Sequence, residues 1–238
     1  MRNFIIIGAL MLMLASCGTD NKPKIIHNST DDKGVTELKK DSTFIEIADL
    51  PIQIDSTEYL IHVIGDYKIE NSRRKMLSKW SSYGSESLSI SQYGGYKISG
   101  NISNVKFQHK DAIELIALTD KVIKIRSILF LHEVYKNTDK QLLLYEVIDK
   151  DTNQDGKLDY NDINTLYISK INGANFKKIT DTNQELIDWK IITSNNRLYL
   201  RSIEDINKDE EFNKKDSVHY KFVDLNTDNL KVIEYKPV

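Results

Sequence analysis

Two stretches in the second half of the chain carry oxygen-bearing side chains at spacings that suit a hard cation. The first runs from Asp151 to Asp162 and places oxygens at Asp151, Asn153, Asp155, Asp159 and Asp162, loop positions 1, 3, 5, 9 and 12. Gly156 stands at position 6 and Leu158 at position 8. Ca²⁺ takes roughly 6–8 oxygen ligands, so a chain that binds it must curl around it and turn sharply where the glycine sits. The second stretch repeats the pattern with Asp205, Asn207, Asp209, Glu211, Asn213 and Asp216, and Phe212 takes the apolar place. Here Glu210 replaces the glycine, which forces a Cβ into a positive-φ position at a cost of about 1 kcal/mol or more. Lys208, Lys214 and Lys215 also weaken its negative field.

The first loop closely resembles the twelve-residue calcium loop of the EF-hand family. It departs from that family at position 12, where Asp162 replaces the bidentate Glu, and in its flanks, which read as strands. What the resemblance implies is a structural Ca²⁺ held between two strands, with Lys157 at position 7 supplying its backbone carbonyl and Leu158 anchoring the loop to the core. The affinity implied is that of extracellular modules, on the order of 10⁻⁴–10⁻³ M. The other reading is an Asn/Asp-rich turn held by side-chain-to-backbone hydrogen bonds alone. For the second loop a degenerate, metal-free turn stands beside the calcium reading.

The elements that must position these loops are mainly β. Tyr59 to Gly65, Leu142 to Asp149, Arg197 to Glu204 and Val218 to Leu225 read as strands from their β-branched and aromatic content. Self-comparison superimposes Leu142 to Ile179 on Arg197 to Ile233, carrying Asp151 onto Asp205. Each copy has an entering strand, an acidic loop, a second strand, a tight turn (Asn172-Gly173 or Asn226-Thr227) and a last strand. Ile125 to Leu131 and Leu186 to Ile192 supply a first strand to each, giving units over 125–180 and 186–235. Asn104 to Leu118 outlines a further strand–turn–strand. The stretch Leu166 to Thr180, followed by Trp189, resembles blades of TolB-like propellers, over the second half of the chain only. That resemblance implies antiparallel four-stranded blade-like repeats in a partial propeller-like array; an open sheet or sandwich of such meanders is the alternative. One short helix is expected near 71–80, with Met76, Leu77 and Trp80 on one face.

The chain has 238 residues, 33 basic and 35 acidic, so no net basic field argues for nucleic acid. Its single cysteine, Cys17, follows a short positive start and an uncharged apolar run from Phe4 to Ala15. That run is too short to span a bilayer and reads as a signal-peptide core. With Leu14-Ala15-Ser16-Cys17 it closely resembles the lipobox of bacterial lipoproteins. The resemblance implies cleavage after residue 16, a diacylglyceryl group on the Cys17 sulfur and an acylated amine, and two or more acyl chains anchor firmly. Gly18, rather than Asp, at the second mature position implies the outer membrane, on either face. Residues 17–41 are polar and read as a flexible tether, with residues 42–238 as the folded β-rich part.

Five histidines (His27, His62, His109, His132, His219) lack metal-ligand spacing, and no G-x-S-x-G, H-E-x-x-H, P-loop or dinucleotide fingerprint occurs. Trp80, Tyr83, Tyr93 and Tyr96 form either a sugar- or peptide-binding patch or ordinary strand packing. These observations lead to a membrane-anchored, calcium-stabilised envelope lipoprotein that binds or scaffolds a protein or glycan without catalysis. The alternative is a hydrolase whose site is assembled from propeller-type loops.

Overall fold

The run Leu142-Leu143-Leu144-Tyr145 breaks the alternation of a half-wet strand, and such a run is expected where a strand is covered on both faces. The computed structural model describes residues 22–27, 38, 44–54, 57–68, 91–93 and 96–238. In it this run opens a central strand buried on both sides. The chain order is β1 (Phe44–Ala48), β2 (Ile52–Gln53), β3 (Tyr59–Lys68), β4 (Ser91–Tyr93), β5 (Lys97–His109), β6 (Ile116–Ala117) and β7 (Lys124–Phe130). There follow α1 (His132–Thr138), β8 (Leu142–Ile148), β9 (Thr165–Lys170), β10 (Lys177–Lys178), β11 (Gln184–Ile192), β12 (Arg197–Glu204), β13 (Ser217–Asp224) and β14 (Val232–Tyr235). All pairings are antiparallel.

The strands form a 10-stranded sheet with the main order β1-β3-β5-β7-β8-β9-β10 and a 4-stranded sheet β11-β12-β13-β14. Both meanders expected from the repeat are present, β7–β10 and β11–β14. The first is not a separate unit, however, because β7 also pairs with β5, Ile102 facing Ile125. The apolar strands before it complete the sheet and leave no gap at which a unit could begin. The expected Asn104 to Leu118 outline appears as β5 and the short β6, with Phe107 facing Ile116.

Period-2 alternation on β8 divides the core. Leu143, Tyr145 and Val147 face one cluster, with Ile61, Val63, Ile102, Phe107, Ile125 and Ile128. Leu142 and Leu144 face the other, with Leu166, Ile168, Leu198, Leu200, Val223 and Leu225, so the two sheets share a core. Trp189 on β11 reinforces this junction by donating its indole N–H to Glu146 Oε1 on β8 at 2.8 Å. At the tight turn after β9, Gly173 has φ +79°, and a Cβ there would stand 2.5 Å from the buried Phe107 ring. An Asn-Gly pair favours a two-residue hairpin turn with both residues at positive φ, but Asn172 is not among the positive-φ residues, so this turn is of another type.

The helix expected near 71–80 lies outside the described residues. The described helix is α1, which replaces a tight turn between β7 and β8; it buries Val134, and Asp139 closes it in the left-handed conformation at φ 59°. The segment read as a tether also contributes an ordered piece. Lys24 N–H donates to Asn161 O and Ile26 N–H to Thr152 O, both at 2.9 Å, and Ile25 between them is buried.

A polar joint links the sheets where β9 and β11 begin. The Asn164 N–H donates to Glu185 Oε2 at 2.6 Å, and its carbonyl accepts the Leu186 N–H at 3.0 Å. Burial pushes the Glu185 carboxyl from its ordinary 4.5 up to about 7, opposed by the Asn164 N–H and the charge of Arg126. Protonated Glu185 therefore adds stability that is complete below pH 4.5 and lost as the pH rises to about 7. Glu185→Gln keeps the acceptor oxygen without the charge. Urea midpoints at pH 5 and pH 8 should show a smaller fall for this variant than for the parent, with the variant the more stable at pH 8.

Candidate metal loops

Each acidic loop joins the middle pair of strands of its meander, β8 to β9 and β12 to β13. A twelve-residue connection has many backbone N–H groups to satisfy, and both loops use side-chain oxygens at the same five positions to do so. In the first, Asp151 Oδ2 accepts the Gly156 N–H at 2.8 Å, Asn153 Oδ1 the Asp155 N–H at 3.0 Å, and Asp155 Oδ1 the Lys157 N–H at 2.9 Å. Asp159 Oδ1 then accepts the Asn161 N–H at 2.8 Å, and Asp162 Oδ2 the Asp159 N–H at 3.0 Å. In the second, Asp205 Oδ2 accepts from Glu210 at 2.9 Å, Asn207 Oδ1 from Asp209 at 2.8 Å, and Asp209 Oδ1 from Glu211 at 3.2 Å. Asn213 Oδ1 accepts from Lys215 at 3.0 Å and Asp216 Oδ2 from Asn213 at 2.7 Å.

The backbones agree as well. Positions 4 and 6 have positive φ in both loops, Gln154 at 57° and Gly156 at 84°, Lys208 at 60° and Glu210 at 67°. Glu210 thus stands in the strained conformation expected from its place in the repeat. The apolar anchors Leu158 and Phe212 are both half-buried.

The loops differ in how their charge is met. Asp162 is nearly fully buried; its Oδ1 accepts the Thr152 and Asn153 N–H groups at 2.7 and 3.2 Å. Burial pushes its carboxyl above the usual range, those N–H groups oppose the shift, and the Asp151 charge adds to it. No ion pair among the described residues offsets Asp151, Asp155 or Asp159. Among its neighbours, Tyr160 lies under the Arg126 guanidinium, 4.8 Å from ring centre. In the second loop His27 Nε2 lies 3.0 Å from Asp205 Oδ2, and Lys215 Nζ lies 3.5 Å from Asp209 Oδ2. Asn207 Nδ2 also donates to Asp209 Oδ2 at 2.9 Å. One oxygen there, Asp216 Oδ1, is buried without a hydrogen-bond partner.

Among the described residues, His, Cys, Asp and Glu side chains do not gather in threes at metal-binding range. A cation in either loop would therefore draw on the amide oxygens of Asn153 or Asn207 and on the carbonyls of Lys157 or Glu211, besides carboxylates. Each carboxylate oxygen has a second lone pair, so those already accepting an N–H can still face an ion. Asp151, Asn153, Asp155, Lys157, Asp159 and Asp162 thus lie on one closed turn, as do Asp205, Asn207, Asp209, Glu211, Asn213 and Asp216.

Sequence reasoning missed what holds the loops to each other. Residues 24–27 cross from one to the other: Thr152 Oγ1 donates to Lys24 O at 2.7 Å, Ile26 bonds Thr152, and His27 reaches Asp205. A cleft of about 340 Å³ opens beside this strap, lined by His27, Thr182, Asn183, Glu204, Asp205, Ile206 and Lys208. The only signal for the strap was Ile25-Ile26 in an otherwise polar stretch. Cys17, Trp80 and Tyr83 lie outside the described residues. Tyr96, from the same aromatic cluster, stacks on His132 at 4.1 Å and packs on the core around Phe130.

No family model and no curated protein matches the chain.

The strain at Glu210 is open to measurement. Glu210→Gly should raise unfolding stability by about 1 kcal/mol in metal-free buffer, since glycine adopts positive φ without penalty. A urea midpoint equal to or below that of the parent would show that the loop carries no strain there.

Proposed function

We propose that this chain is a membrane-anchored envelope lipoprotein, acylated on Cys17, whose β-rich part is stabilised by Ca²⁺ and serves as a non-catalytic binding or scaffold module. The observation that carries the calcium reading is the repeated loop: identical acceptor positions, identical positive-φ positions and the same place in both meanders. An ordinary surface turn has no reason to preserve all three. The first loop is the proposed site, with ligands from Asp151, Asn153, Asp155, the Lys157 carbonyl, Asp159 and Asp162. Its carboxylates lack cationic partners among the described residues and repel one another, so Ca²⁺ would neutralise them and fix where β9 starts. In the second loop the Lys215 ammonium and the amide donors already meet part of that charge, His27 hydrogen-bonds Asp205, and the orphaned Asp216 Oδ1 is the atom best suited to a weaker ion.

The anchor reading rests on the lipobox, and the outer membrane on Gly18 following Cys17. The binding reading rests on the two packed meanders, a propeller-like array in this proposal, and on the polar cleft beside the strap. Its carboxylates, amide and hydroxyl suit a ligand rich in hydroxyl or ammonium groups, such as a glycan or a lysine-bearing protein segment. Nucleic acid is disfavoured by the balanced charge.

Thermal melting of the chain lacking residues 1–17 tests the metal. Millimolar Ca²⁺ should raise the melting temperature over EDTA, and a concentration about ten times Kd adds roughly 1.4 kcal/mol of stability. Asp151→Ala should abolish most of that shift. A melting temperature indifferent to calcium in both proteins would reject the structural-metal reading.

A further inference from the structure

β5 and β8 are both antiparallel to β7, which lies between them, so they run in the same direction. The turn that follows β5 therefore leaves the sheet at the same end as the first acidic loop. β5 runs on from Ile102, opposite Ile125, to His109, opposite Tyr59 of β3, so the turn lies well past the ends of β7 and β8. Its chain carries large apolar side chains into solvent: Ile113 is 93% exposed, Ile116 63% and Val122, on the way back to β7, 69%. Leu115 is exposed beside them. These exposed aliphatic side chains, on the turn and on the return to β7, are not needed by the core, whose residues here are Leu118 and Ile123.

The ordered strap says where this end of the molecule stands. Residues 24–27 are bonded to the first loop and to Asp205, so the chain leads back to its N-terminus from the same end. Cys17 precedes Lys22 by five residues, a reach of no more than about 18 Å even when fully extended. An acyl group on Cys17 would thus hold this end, and not the opposite one, against the bilayer.

We propose that the turn from Lys110 to Ile116, together with Val122, is a bilayer-contacting face that beds into the lipid surface holding the Cys17 acyl chains. This rests on the lipoprotein reading. The anchor supplies affinity and the apolar turn supplies orientation, so that the opposite end, with the Asn226 turn, faces away from the membrane. The flanking charges are mixed, with Lys110 and Lys121 beside Asp111, Glu114 and Asp120, so contact should not depend on anionic lipid.

The test uses the full, acylated chain in vesicles of zwitterionic phospholipid. With Cys17 acylated, a thiol introduced as Ile113→Cys, Val122→Cys or Asp228→Cys is the sole site for an environment-sensitive fluorophore. Asp228, at the opposite end, has a side chain 97% exposed and is the control. Brominated lipid should quench the labels at 113 and 122 at least about twofold, because an apolar face beds roughly 5–10 Å into the headgroup region, and should leave the label at 228 unchanged. Absence of quenching at 113 and 122 in a chain that floats with the vesicles, with the acyl mass on Cys17, overturns the proposal and leaves the anchor standing. Labels shielded equally in plain and brominated vesicles would show that a second copy covers the face, which also overturns it. A chain without the acyl mass would remove the anchor reading and this proposal with it.

Discussion

A long charged connection between two packed strands must satisfy its own backbone N–H groups, and here it does so with carboxylates that repel one another. The two acidic loops and the strap between them answer to that constraint. Asp162 is the sharpest case: its carboxylate is buried to receive N–H groups from Thr152, Asn153 and Asp159, which closes the loop into one turn. An unpaired buried charge is expensive, and hydrogen bonds from neutral amides offset only part of that cost. A cation placed among these oxygens would offset the repulsion, and that is the ground on which Ca²⁺ is proposed for this loop.

The second loop meets the same constraint by other means. It keeps the acceptor positions yet takes His27 onto Asp205 and Lys215 onto Asp209. Since His27 belongs to the segment that also bonds Asn161 and Thr152, the two loops are one mechanical unit, although they sit on different sheets. The shared core around Leu144, Leu166, Leu200 and Val223 keeps their distance fixed from behind. Ordering of the first loop by an ion would therefore be felt at Asp205 through four residues of strap.

Much of this was legible in the residues and some was not. The β-branched and aromatic content of β8, β12 and β13 and the acidic spacing are local signals, and the strands and loops fall where those signals place them. Glu210 was legible too, because only its alignment with Gly156 was needed to expect positive φ. The strap was not, since its contacts span 128 and 178 residues and a single buried Ile25 stands in a polar stretch. The merging of the first meander into a larger sheet escaped for a related reason: pairing of β7 with β5 depends on register, which apolar content leaves open. The α1 helix is seven residues long and is held by Val134 and its left-handed cap, not by an apolar stripe that periodicity would reveal.

Amide hydrogen exchange across the chain, with EDTA and with millimolar Ca²⁺, tests the central claim that one cation-braced loop organises this end of the molecule. Slower exchange at Thr152, Gly156 and Asp159, accompanied by slower exchange at Ile26 in the strap, is the predicted result. Exchange at those amides that calcium leaves unchanged would show that the carboxylates serve the backbone alone, and would contradict the account.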